Sequence, residues 1–384
     1  MRRVLPVLCV LLALVACNRD SKKVDPPAEL VKFKPTLAVQ QVWSAGTGGG
    51  DDELRLALAP VVQEGRVFTA GVDGEVQALA LATGKRAWVT DTKLPLSAGP
   101  GAGFGLVAAG SSEGDVVVLD ASNGALRWKT RVGAEVMAPP AIGEGRVVVH
   151  TVDGRVHALR SADGKVAWNY EQPSPRLTLR GSSPPVIAGE HVIVGFDNGK
   201  VVALGLASGD VLWETTVSPG RGRSELERLV DVDAAVRISG NDLFVVGFQG
   251  RVAMIAMENG QGAWSRDLSS HRGLALDAEA LYVTLSDGTM VALSRRDGAE
   301  LWRTAALQRR GVSAPAVLGD AVVVADFEGY LHWLDRATGR FVARVKAGGG
   351  RITNGPVVAD GLLLVQPDDG GVRAFRVRPP RKQG

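Results

Sequence analysis

Residues 141–168, AIGEGRVVVHTVDGRVHALRSADGKVAW, hold one complete unit of a pattern that fills most of the chain. Arg146 to Thr151 is a nearly continuous β-branched run, Arg155 to Arg160 is a second strand, and a third ends at Trp168. Asp153-Gly154 and Asp163-Gly164 separate them, both of them hairpin-turn signals. Strands without polar alternation suit a sheet buried on both faces.

The first turn recurs as Asp73-Gly74, Glu113-Gly114, Asp153-Gly154, Asn198-Gly199, Gln249-Gly250, Asp287-Gly288, Glu328-Gly329 and Asp369-Gly370. Ten residues after the first seven glycines stand Gly84, Gly124, Gly164, Gly209, Gly260, Gly298 and Gly339. Four residues further come Trp88, Trp128, Trp168, Trp213, Trp264 and Trp302, and Ala343 breaks the series. The first-turn glycines are spaced 40, 40, 45, 51, 38, 41 and 41 residues apart. A period near 40 with all-β content predicts an all-β, eight-bladed β-propeller of four-stranded antiparallel blades. The innermost strands are expected around Ala138-Pro139-Pro140 and Ser183-Pro184-Pro185. No Gly or Trp follows Gly370 in register, so the last blade lacks its outer strand. Trp43, in Val39-Gln40-Gln41-Val42-Trp43, has no blade of its own and is expected to supply that strand over about 39–45, removing an open edge.

The 48 glycines agree with so many turns, and the formal net charge is only +3. Without a concentrated basic face, nucleic acid is excluded as a partner. Arg2 and Arg3 followed by the apolar run Val4 to Val15 read as a leader, 1–16, too short for a stable membrane span. Its end, Leu14-Val15-Ala16-Cys17, resembles the bacterial lipobox, which implies cleavage before Cys17 and lipidation of that residue. Asn18 follows instead of the Asp of inner-membrane retention, so the expected location is the outer membrane, on its periplasmic face. Cys9 leaves with the leader, and the remaining thiol carries lipid, so no disulfide forms. Residues 17–36, with Lys22, Lys23, Pro26, Pro27 and Pro35, read as a flexible tether. The propeller is expected over 37–378, with a basic disordered tail at 379–384.

The aromatics are followed by Val89, Lys129, Asn169, Glu214, Ser265 and Arg303, without the Asp of WD40 repeats. The phrases ALALATGKRAW (78–88), ALRSADGKVAW (158–168) and ALSRRDGAELW (292–302) resemble the tryptophan-docking repeat of the quinoprotein-like propeller family. That repeat identifies a fold and leaves catalysis open. A quinoprotein oxidoreductase dependent on pyrroloquinoline quinone remains the alternative function. The family's enzymes use calcium, polar residues around the quinone and usually an adjacent cysteine pair, which this chain lacks. His150, His157, His191, His271 and His332 are scattered without metal-ligand spacing, so no catalytic residue, cofactor or metal is expected.

Three further phrases are not demanded by the repeat: Arg176 to Pro184, Ser224 to Asp233, and Gly329-Tyr330-Leu331-His332-Trp333. With the lipobox, Trp43 and the eight repeats, they resemble the lipoprotein family of the outer-membrane β-barrel assembly (BAM) machinery. The first two phrases coincide with the long spacings, 45 and 51. In an up-down blade, the connection to the next blade lies on the face of the middle Asp-Gly turn, so both insertions project from one face. Extra loop length on a rigid scaffold is where binding resides, and Leu177, Leu179 and Arg180 would form an apolar anchor with a charged rim. The competing reading tucks the leucines under the loop and pairs Arg180 with Asp231 or Asp233. The resemblance implies a non-enzymatic scaffold whose Leu177, Leu179, Arg180, Asp231 and Asp233 contact the periplasmic POTRA domains of BamA. It also implies unfolded outer-membrane protein clients. His332 and Trp333 are read as packing.

Overall fold

A computed structural model describes residues 25–50 and 56–378, apart from 174, 176, 179, 180, 221, 222, 225 and 228. It contains eight four-stranded antiparallel sheets. Blade one is β2 (Val61–Gln63), β3 (Arg66–Ala70), β4 (Glu75–Ala80) and β5 (Arg86–Asp91), ordered from the axis outward. Blades two to seven repeat this order from β6 (Leu96–Gly103) to β29 (Phe341–Lys346). Blade eight takes β30 (Val357–Ala359), β31 (Leu362–Val365) and β32 (Val372–Val377) from one end of the chain and β1 (Val39–Ala45) from the other. β1 pairs antiparallel with β32, Val39 opposite Val377 and Ala45 opposite Val372.

The innermost strands begin after the double prolines and not on them. β10 is Ala141–Gly143 and β14 is Val186–Ala188. Proline has no N–H to give to the ladder, so Pro139-Pro140 and Pro184-Pro185 deliver the chain to the strand without joining it.

The two central strands of each blade are buried on both faces, as in β11 (Arg146–His150) and β12 (Arg155–Arg160). Outer strands such as β13 (Val166–Glu171) bury little beyond the tryptophan. The hydrophobic core is accordingly divided into layers between neighbouring blades: Phe68 and Trp88 of blade one pack with Val107 and Val117 of blade two. Every layer but the one between blades seven and eight is sealed at its rim by tryptophan. The Trp43 indole donates to Leu81 O at 2.8 Å, and its ring covers Gly84, whose φ is +68°. A Cβ at Gly84 would stand 2.6 Å from the ring, so only glycine permits this approach. The same bond joins Trp88 to Ala121, Trp128 to Ser161, Trp168 to Leu206, Trp213 to Met257, Trp264 to Arg295 and Trp302 to Arg336. In every case the acceptor lies three residues before the second-turn glycine of the next blade.

Blade seven departs from this scheme. Elsewhere the outer tryptophan faces a smaller residue on the neighbouring strand, as Trp88 faces Ala78 and Trp302 faces Ala292. Here Ala343 is outermost and Trp333, on β28 (Tyr330–Asp335), stands opposite it, fully buried. Blade eight explains the inversion: its two outer strands come from opposite ends of the chain, so no turn glycine exists for a tryptophan at 343 to cover. His332 beside it is also buried and hydrogen-bonded, through Nε2 to Asp326 at 2.9 Å.

Residues 25–36 are not a free tether. They run along blade seven, where the Thr36 and Leu37 amides donate to Val342 O and Phe33 stacks on Phe341 at 5.5 Å between ring centres. Arg344 lies over both rings. Apolar Phe33 and Leu37, together with a row of backbone acceptors, outweigh the polar composition that suggested a solvated strap. Cys17, the leader and the tail 379–384 lie outside the described residues.

Candidate partner-docking face

The connections on the face of the middle turns converge on the axis. The two long ones, 172–185 between blades three and four and 217–236 between blades four and five, touch each other there. Ser183 Oγ donates to Ala234 O at 3.2 Å, and Ser183 O accepts from His150 Nδ1 at 3.0 Å. Gly181 faces Asp233 so closely that a Cβ would meet its carboxylate at 2.3 Å. The two insertions are therefore one surface locked at its inner end. It borders a depression of about 560 Å³ in the middle of the face, lined by Leu56, Met137, Ser182, Asp233, Phe248, Arg272 and Asn354 among others.

Further out, the second connection folds on itself. Ser224 and Glu227 form a reciprocal cap: Glu227 N donates to Ser224 Oγ at 3.2 Å, and Ser224 N to Glu227 Oε2 at 3.1 Å. This turn presents Leu226 at 65% exposure, while Leu229 and Val230 beneath it are buried. Leu177 on the first connection is 42% exposed. Leu226 lies within the phrase Ser224 to Asp233, but nothing in its sequence pattern distinguishes it from the buried Leu229.

Of the residues expected to contact a partner, Leu177 is on the surface, whereas Leu179 and Arg180 lie outside the described residues. Asp231 is not a surface residue: it has no exposure. Its backbone bridges Phe248, accepting from that amide at 2.8 Å, which carries the connection under the surface and turns the side chain inward. Asp233 is partly exposed beside the depression. Both join Asp197, from the middle turn of blade four, in a cluster whose carboxylate oxygens lie within 4.8 Å of one another. Asp197 reads in the sequence simply as a turn former, and only the fold brings it to the other two.

Burial is the main cause of raised pKa values in all three. Asp197 is pushed up to about 7, with the charge of Asp233 adding to the effect. Burial raises Asp231, reinforced by Asp233 and Asp197, and burial also raises Asp233. Like charges this close cannot all ionise in a desolvated site, so protons are retained. Among the described residues no Lys or Arg makes an ion pair with the cluster.

This donor set does not fit a calcium-bound quinone. Among the described residues lining the axial depression, Asp233 is the sole carboxylate, whereas calcium takes about six to eight oxygen ligands.

An eight-bladed propeller of quinoprotein-type repeats, its interblade layers capped by tryptophans and two connections on one face enlarged, defines the quinoprotein-like propeller class. A family model described as outer membrane protein assembly factor BamB matches residues 72–304 and 286–379. The chain belongs to that family. It is 42% identical over 372 residues to outer membrane protein assembly factor BamB of Pseudomonas aeruginosa, covering 97% of this chain and 98% of that one. The crystal structure of BamB from Moraxella catarrhalis superposes with a TM-score of 0.81 at 26% identity, covering 88% of this chain and 100% of that one. A quinohemoprotein alcohol dehydrogenase from Comamonas testosteroni shares the fold alone, at 14% identity and a TM-score of 0.68, with 90% and 78% covered.

Proposed function

We propose that the chain is a non-enzymatic scaffold subunit of the BAM machinery. In this reading Cys17 carries the lipid that anchors it to the periplasmic face of the outer membrane. The two-loop face holds the POTRA domains of BamA and so assists insertion of outer-membrane proteins, whose unfolded chains are its clients. Names of relatives as assembly factors support the role.

One observation carries the site: the two enlarged connections meet at Ser183 and Ala234 and expose leucines beside a rigid core. Exposed apolar anchors on a fixed scaffold contribute affinity without an ordering cost. Leu177, Leu179 and Arg180 are the contact residues of the first connection, and Leu226 adds one from the second. Asp231 and Asp233 act from below. Asp231 sets the path of its connection, and Asp233 packs against Gly181, next in sequence to Arg180.

Copurification of the lipidated protein with BamA from solubilised outer membranes tests the reading. Leu179→Ala with Arg180→Ala is expected to abolish it, and undiminished copurification would remove the site assignment.

A further inference from the structure

The N-terminal arm ends on a particular face of the ring. From β1 it climbs the outer strand of blade seven: Arg344 donates to Val31 O at 3.0 Å, and higher up the Ala28 amide donates to Gln308 O at 3.0 Å. Arg309 Nε then donates to Pro26 O at 2.9 Å, with Asp25 3.8 Å from the same guanidinium. Gln308 and Arg309 belong to the connection between blades six and seven. That connection lies against Gly288, the middle turn of blade six. This is the face that bears the two enlarged connections.

We propose that the docked arm fixes the orientation of the propeller on the bilayer, directing the lipidated end out of the docking face so that this face looks at the membrane. The inference rests on lipidation of Cys17. Asp25 comes eight residues after Cys17, and eight chain steps reach roughly 28 Å at full extension and about 16 Å as a relaxed coil. Were the propeller inverted, Asp25 would stand at least a blade's height from the headgroups. Six-residue strands make that height about 20 Å, beyond the relaxed reach of the tether. With the docking face inward, Asp25 lies on the membrane side of the ring, and the relaxed tether reaches the headgroups without stretching.

The mature chain has no cysteine besides Cys17, so single labels can be placed at will. Glu113→Cys marks a middle turn on the docking face, and Lys85→Cys an outer turn on the opposite face; both positions are exposed. Each is coupled to a fluorophore in the full lipidated protein on phosphatidylethanolamine–phosphatidylglycerol vesicles carrying a rhodamine lipid. Energy transfer is expected to be stronger from position 113 than from 85, and the difference should shrink when Phe33→Ala and Arg309→Ala release the arm. Equal transfer from both positions, or stronger transfer from 85, in protein that floats with the vesicles overturns the orientation alone. Failure to float overturns the lipid anchor, and the orientation with it.

Discussion

Trp333 and Ala343 stand directly opposite each other on β28 and β29, large inside and small outside, the reverse of the pairing of Trp302 with Ala292 one blade earlier. The reversal keeps the interblade volume while abandoning a rim contact that blade eight has no turn to receive. Ala343→Trp is therefore expected to destabilise by about 1–3 kcal/mol through overpacking. Ala343→Trp with Trp333→Ala should fail to recover the parent's stability, because the indole N–H would find no carbonyl to bond. Urea midpoints of the three proteins measure this.

Trp43 closes the ring, and its loss leaves a cavity in the layer between blades eight and one. Trp43→Ala is expected to cost about 3–5 kcal/mol. Gly84→Ala should be destabilising as well, since its φ is +68° and its Cβ would enter the ring. Thermal melts read both, and a Gly84→Ala protein as stable as the parent would contradict the docking geometry.

Leu177→Ala and Leu226→Ala remove exposed side chains, so each should change stability by less than about 0.5 kcal/mol while weakening copurification with BamA. A melt and a pull-down on the same preparations separate binding from folding. Asp231→Ala should behave differently, changing stability as well as binding, because it alters a buried cluster.

Asp197 has a folded pKa raised to about 7 from 3.8, so the folded protein keeps a proton that the unfolded chain releases. Its contribution to stability is complete below about pH 4 and is lost as pH rises towards 7. Each tenfold gain in proton affinity on folding is worth about 1.4 kcal/mol, which sets a ceiling of about 4 kcal/mol on that contribution. Asp197→Asn cannot ionise and should make the stability profile shallower across that window, the remaining slope coming from Asp231 and Asp233. A variant profile as steep as the parent's would count against the raised pKa.

Arg310 is buried between Asp326, at 2.9 Å, and Glu328, and it also donates to Ala28 O at 3.2 Å in the N-terminal arm. Asp326→Ala would leave His332 Nε2 unpaired and Arg310 with Glu328 as its remaining carboxylate, at an expected cost of about 1–3 kcal/mol. Amide exchange at Ala28 should accelerate in the same variant, since the carbonyl and amide of that residue are held by one connection.

The propeller is legible in the sequence because its information is periodic: each glycine and tryptophan does the same job at a fixed spacing, so the register survives without any three-dimensional knowledge. Trp43 could be placed for the same reason. What the sequence conceals depends on contacts between distant positions. Phe33 meets Phe341 across nearly the whole chain, so the arm around it looks like a solvated linker. Asp197 resembles every other turn residue until the fold sets it beside Asp231 and Asp233. Asp231, charged and in an inserted loop, suggests a surface contact, and only its bridge to Phe248 reveals that it points inward. The double prolines misplace the inner strands by three residues because their compactness suggests a core while their missing N–H groups forbid a ladder.

The pairing of β1 with β32 also dictates an order of events. Val39 and Val377 are sequence-distant partners, so the eighth sheet cannot be completed until residue 377 has been made. Until β1 joins it, β32 offers an unpaired edge, and the packing of Trp43 on Val67, Leu79 and Leu81 of blade one lacks its blade-eight side. Joining such remote segments is slow, since the intervening loop must be closed before any contact rewards it. The ring is therefore most exposed to unwanted strand addition just before completion, and its closing step removes that hazard.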